Sequence, residues 1–226
     1  MNPIHRFSAM DGFSLVELML SLSLGFALSV VMLQGLMAEG QNGARLSRLV
    51  LERAVQRRTL QLLKADIAQA TAVSSTPALE SHACSVAGRK PVLHLSTASG
   101  PITYSVGAAP SAIWRGRVLM RCGPAYGIDG AMNAGSVALN RVVMDGLVVA
   151  SKTWRGCEAL LGSDQHELID LSVKADLGFV ACLQSETGLL GLRLEQTFVN
   201  AAGQSNQQIS QSTVVQAIPL NSSGGG

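Results

Sequence analysis

The strongest pattern in the chain is an apolar run from Phe13 to Met37 whose only formally charged side chain is Glu17. As a helix at ~1.5 Å per residue it is about 37 Å long, enough to cross a ~30 Å hydrocarbon core. It also exceeds the apolar region of an ordinary secretory signal, ~7–15 residues. No small-residue cleavage site follows it; the next residues are Ala38-Glu39-Gly40-Gln41. The run is therefore expected to stay on the chain as a membrane-compatible helix, residues 13–37.

Helical periodicity continues from residue 38 to about 72. Leu46, Leu49, Val50, Ala54, Leu60, Leu63, Ile67 and Ala70 recur close to a helical stripe, while Arg45, Arg48, Glu52, Arg57, Arg58 and Lys64 fall mostly off it. A helix from Phe13 to about Ala72 would be roughly 90 Å long. Gly25, Gly35, Gly40 and Gly43 each weaken it locally by about 1 kcal/mol relative to Ala, and bending or melting is expected near 35–43. After Ser74-Ser75-Thr76-Pro77 the period changes to short β-like runs between turn residues. Candidate strands are Val92–Leu95, Ile102–Val106, Ile113–Cys122, Ala138–Met144, Leu168–Leu177, Leu190–Phe198 and Gln211–Ile218. The clearest is Leu190–Phe198, with apolar residues alternating onto one face. An antiparallel sheet needs a cover, and the stripe from Leu46 to Ala70 supplies one. The expected class is α+β: a long N-terminal helix, a β-rich head over 73–220 and a flexible tail, 221–226.

Composition adds to this picture. Hydrophobic residues make up 47% and charged residues 14%, against about 25% charged in an average soluble domain. A membrane segment accounts for part of that gap. The net charge of +2 is too small to argue for nucleic acid or acidic lipid as a partner. Arg6, outside the apolar run, places the N-terminus on the cytoplasmic side and the head in the periplasm. Cys84, Cys122, Cys157 and Cys182 all lie in the head and suit an oxidising compartment. Three pairings are open to four cysteines. The sequential one, Cys84–Cys122 with Cys157–Cys182, closes the shorter loops and is favoured.

Glu17 carries the functional signal. A carboxylate at mid-membrane costs roughly 2.5–3.5 kcal/mol, less near the interface, and such groups usually have a partner. A snorkelling Glu at the headgroups is the plain reading; a carboxylate awaiting a cation from another chain is the sharper one. Gly12-Phe13-Ser14-Leu15-Val16-Glu17-Leu18 resembles the processing motif of type IV prepilins and of the pseudopilins of type II secretion. The resemblance implies a leader over residues 1–12, cut by prepilin peptidase between Gly12 and Phe13. It implies N-methylation of the new Phe13 amine, and pairing of Glu17 with the Phe13 amine of a neighbouring subunit. It further implies other pilins and an inner-membrane assembly platform as partners, with membrane lipid around the helix before assembly.

Several head segments resemble the PilW minor pilins and the GspJ-type minor pseudopilins. They are Leu62-Leu63-Lys64-Ala65-Asp66-Ile67-Ala68-Gln69-Ala70, Ile102-Thr-Tyr-Ser-Val, Ile113-Trp-Arg, Leu139-Asn-Arg-Val-Val-Met-Asp-Gly-Leu147 and the closing Thr213–Asn221. The Arg-Asn ending common in that group is Leu220-Asn221 here. The resemblance implies a pilin-like fold and a minor pilin, with a minor pseudopilin as the alternative. A single-pass membrane-anchored binding domain that never polymerises is the rival from another class.

No catalytic constellation competes with this reading. His5, His82, His94 and His166 do not cluster, His82 and Cys84 have no second pair at zinc spacing, and Gln165-His166-Glu167 lacks a helical HExxH partner. No enzyme activity, metal or cofactor is expected. Trp114-Arg115, Arg117, Arg121 and Trp154-Arg155 could stack on single-stranded nucleic acid. Alternation along a strand instead puts Trp114 in a core with Arg115 facing out, and that is the expectation.

Overall fold

The computed structural model describes residues 14–75, 84–85, 88–150, 154–162, 167–172, 178–199 and 206–217. The chain divides into two units, residues 1–47 and 48–226. Helix α1 spans Leu15–Ala68. It runs unbroken through Gly25, Gly35, Gly40 and Gly43, so the expected melting near 35–43 does not occur.

The second unit's described residues form nine strands around the C-terminal part of α1. The strands are β1 (Ala70–Ser74), β2 (Lys90–Thr97), β3 (Ile102–Ala108), β4 (Arg117–Gly123), β5 (Leu139–Leu147), β6 (Leu168–Asp170), β7 (Phe179–Gln184), β8 (Leu189–Val199) and β9 (Asn206–Gln216). A one-turn helix, α2 (Glu158–Leu161), precedes β6. Their pairings are antiparallel, in the order β1-β2-β3-β4-β5-β8-β7-β6, with β9 on the other side of β8. The architecture is α+β, a long apolar helix followed by an antiparallel sheet.

The two arms of the sheet join at one place. Leu147 of β5 pairs with Gln196 of β8. Beside that bridge Val148 N–H donates to Glu195 O at 3.1 Å and Gly178 N–H to Val148 O at 2.9 Å. Gly178 is required there: a Cβ would lie 2.4 Å from Glu195 O and 2.6 Å from Val148 N.

The core gathers Leu60, Leu63 and Ile67 of α1 with Val92, Leu93 and Leu95, Ile102 and Tyr104, Leu119, Phe179, and Leu190, Leu192 and Leu194. Each fully buried aliphatic side chain contributes roughly 1.5–3 kcal/mol, so three from the helix suffice to hold it on the sheet. The covering stripe differs from expectation. Leu46 and Val50 are 61% and 59% exposed. The buried face begins at Glu52 and continues through Gln56, Thr59, Leu60, Leu63, Asp66 and Ile67. Its first turns are polar and are satisfied across the interface: Gln56 Nε2 donates to Ile209 O at 3.3 Å and Thr59 Oγ1 to Val143 O at 3.1 Å.

Other boundaries moved for physical reasons. The helix stops at Ala68, not Ala72, because Ala70–Ser74 pairs with β2 from Thr97 to His94. Pairing overrides the weak helical preference of that stretch. β4 begins at Arg117, and residues 109–116 form a loop in which Ile113 is 80% exposed and Trp114 36%. The expected core position for Trp114 is therefore not found. β8 is buried on nearly its whole length, because it is central in the sheet. β6 ends at Asp170; residues 173–177 and Ile218 lie outside the described residues.

Two polar clusters lock α1 to the sheet. Asp66 is fully buried and accepts hydrogen bonds from Arg121 Nε at 2.7 Å, Arg121 Nη2 at 2.9 Å, Tyr126 Oη at 2.7 Å and Tyr104 Oη. Further along the helix Glu52 accepts from Arg115 Nη1 at 2.8 Å and from Gln196 Nε2 at 2.8 Å. Arg115 Nη2 also donates to Asp145 Oδ1 at 2.9 Å. Burial pushes the Asp145 carboxyl up, but the hydrogen bonds from Arg115 outweigh it and hold the group below its ordinary value. A depressed carboxyl stabilises the fold above its unfolded pKa, and that contribution is lost as the pH falls through the folded one.

Disulfides join Cys84 to Cys122 and Cys157 to Cys182, with sequence separations of 38 and 25. Loops of that size correspond to about 3–4 kcal/mol each in the chain-entropy account.

Replacing Asp66 by Ala leaves the buried Arg121 guanidinium without its carboxylate and should cost about 3–5 kcal/mol. Arg121→Met in addition should recover much of it. Urea denaturation of both variants checks this; a double variant as unstable as Asp66→Ala would contradict it.

Tyr104 and Tyr126 are the chain's two tyrosines. Burial first, then the Asp66 carboxylate, raise Tyr104 well above its ordinary value; burial, then the hydrogen bond to Asp66, raise Tyr126. Groups with raised folded pKa values contribute stability that is complete below their unfolded value of about 10 and lost as pH rises above it. An alkaline titration followed by phenolate absorbance should show no ionisation until the protein unfolds, and then both phenols together. Early ionisation of one phenol in the folded protein would break the account of the cluster.

Candidate functional site

From Leu15 to Met37 the first unit offers a mostly apolar surface whose one formally charged side chain is Glu17. Every described residue from Ser14 to Ser47 is exposed, including Leu20, Phe26, Val31, Leu33 and Met37. The helix is long and apolar enough to cross a membrane, and none of its most apolar window is buried inside the protein. At roughly 25 cal/mol per Å², such a surface needs lipid or another protein around it.

Three serines on this stretch are arranged to suit an apolar medium. Ser21, Ser23 and Ser29 donate to the carbonyls of Leu18, Leu20 and Gly25 at 2.9, 2.9 and 2.8 Å. Serine hydroxyls turned back onto the helix need no external partner. Glu17 is different. It is exposed, lies in the first helical turn, and makes no ion pair or hydrogen bond through its side chain with any described residue. Ser14 opens the helix, its carbonyl accepting from Glu17 N–H at 2.9 Å and Leu18 N–H at 3.1 Å. The spacing Ser14-x-x-Glu17 is that of a capping box, a signal that Glu17 read by itself does not show. The described geometry does not close the box with side-chain bonds. The helix N-terminus carries about half a positive charge, which offsets part of the cost of placing a carboxylate there.

The remaining sequence candidates fall apart as a group. Gly12 and Phe13 lie outside the described residues, as do His5, His82 and His166. His94 is buried, with Nδ1 2.9 Å from Thr103 Oγ1. Arg121 is committed to Asp66, and Arg115 to Glu52 and Asp145. Trp154 lies under Arg193, 5.7 Å from ring centroid to guanidinium carbon. Arg115, Arg121 and Trp154 are therefore engaged in separate contacts. Cys157, Asp170 and Cys182 come close together, but both sulfurs are in the disulfide and leave one carboxylate as a ligand.

Comparison with family profiles, with characterised proteins and with solved structures finds no match to this chain. The geometry of α1 and its carboxylate stands on its own.

Proposed function

We propose that the chain is a minor pilin, a subunit built into a type IV pilus-type filament or priming one, with a pilin-like fold. The observation that carries this is a bare apolar helical stretch whose first turn holds one carboxylate with no partner among the described residues. A plain membrane anchor has no use for that carboxylate, which only raises the cost of insertion. A subunit that packs helix against helix does. An opposite charge from a neighbour would satisfy Glu17 in one register, and any slip would leave two buried charges unpaired at several kcal/mol.

In this reading prepilin peptidase cuts after Gly12 and the Phe13 amine is methylated. That amine, on a neighbouring subunit, is the cation Glu17 receives. The chain waits in the inner membrane as a single span, N-terminus in the cytoplasm and head in the periplasm, where the two disulfides are stable. It then leaves the lipid for the filament through the assembly platform. The head reads as a structural module; no catalytic role is assigned to it.

The test is Glu17→Val, in a cell that makes the filaments. Membrane insertion should be unchanged or improved, and the fraction recovered in sheared filaments should fall at least about tenfold, the equivalent of ~1.4 kcal/mol. Intact-mass analysis of the unsubstituted chain should show loss of residues 1–12 and gain of one methyl. Filaments holding the Glu17→Val variant at the unsubstituted level, or a mature chain still carrying its first twelve residues, would contradict the proposal.

A further inference from the structure

Along the second unit, α1 and β9 border an open groove of about 200 Å³. Arg57, Gln61 and Lys64 line it from the helix, and Gln211, Ser212 and Thr213 from the strand. Three consecutive strand residues send their side chains to alternate faces. A groove that all three line therefore meets the strand at its edge. Among the described residues β9 pairs only with β8, so this edge has no strand partner there.

The direction of the edge groups follows from one hydrogen bond. Ala217 N–H donates to Gly188 O at 2.8 Å, so Ala217 turns its main-chain groups toward the β8 side. Main-chain groups of an antiparallel strand alternate in direction with a period of two residues. Gln211 and Thr213, an even number of residues back, therefore face β8 as well, and Ser212 between them turns its N–H and C=O to the open edge, into the groove. The opposite wall is cationic. Arg57 and Lys64 are exposed, about 10 Å apart along the helix, and no carboxylate among the described residues pairs with either.

A bare anion would answer the two cations and leave the strand carbonyls facing it. A neutral peptide would answer the strand and leave the cations. An extended peptide with acidic side chains answers both walls. We propose that this groove takes a short extended acidic segment of a neighbouring subunit. Its main chain pairs with Ser212, and its carboxylates meet Arg57 and Lys64. The volume limits the segment to a few residues. The source of the segment rests on the filament reading above; the chemistry of the groove does not.

The probe is a fluorescently labelled acetyl-Val-Glu-Val-Glu-Val-amide, titrated against the full chain in detergent micelles and followed by anisotropy. Binding should weaken at least about tenfold with lysines in place of the glutamates. It should weaken as much with alternate amides N-methylated, and again in the Arg57→Gln/Lys64→Gln double variant. Both substituted side chains are exposed, so the variant should keep its circular dichroism and melting temperature. No binding of the acidic peptide, or binding that survives N-methylation, overturns the proposal; the second result would mean charge attraction alone. A chain that binds the peptide yet never enters filaments contradicts the filament reading and leaves the groove standing. A chain that enters filaments without binding the peptide does the reverse.

Discussion

The buried carboxylate of Asp66 is the point on which the head depends. Four hydrogen bonds reach it, two from Arg121 and one from each tyrosine. They come from β3, from β4 and from the loop after β4, and they meet on the last turns of α1. Taking two charges out of water costs several kcal/mol per ion, which the pair and its hydrogen bonds about repay. The gain is in position. Leu60, Leu63 and Ile67 would pack against many apolar surfaces, but only one placement of the helix gives Asp66 its donors. The Glu52, Arg115, Asp145 and Gln196 cluster repeats the device at the start of the buried face.

The proposed filament role asks one helix to serve two media. Between Glu52 and Ile67 its buried face belongs to the head's own core. Between Leu15 and Met37 the side chains are mostly apolar and exposed. Serines there are satisfied internally, so the surface is compatible with lipid and with another helix alike. The carboxylate of Glu17 breaks that equivalence. In lipid it is a cost; in the proposed filament, beside a neighbour's amine, it would fix a register.

Much of this is legible in the sequence, and the losses have clear causes. The apolar run, the long helix and the antiparallel head can be read from periodicity, because each repeats a local pattern. β7 escapes such a reading: all six of its residues are buried, so Phe179–Gln184 shows no alternation. β1 escapes it because the strand follows the helix after one residue and owes its form to pairing with β2. Local alternation places Trp114 in a strand, whereas the Arg115 contacts to Glu52 and Asp145 hold its segment as a loop. Asp66 stands inside a helical segment without a sign of its role, since its partners lie 38, 55 and 60 residues away. Long-range polar pairing leaves no periodic trace. The cysteines point to a compartment and a favoured pairing, and the bridges observed are the sequential ones.

The central claim is that the bare stretch of α1 exchanges lipid for the helix of another subunit. A photo-reactive phenylalanine analogue in place of Phe26, which is 73% exposed, tests this directly. Irradiated filaments, sheared from cells, should yield covalent adducts between this chain and the N-terminal helix of another filament subunit, mapped by mass spectrometry. Irradiated membranes from cells without an assembly platform should yield lipid adducts instead. Lipid adducts alone in both samples, with the chain absent from the sheared fraction, would contradict the account and leave a membrane anchor.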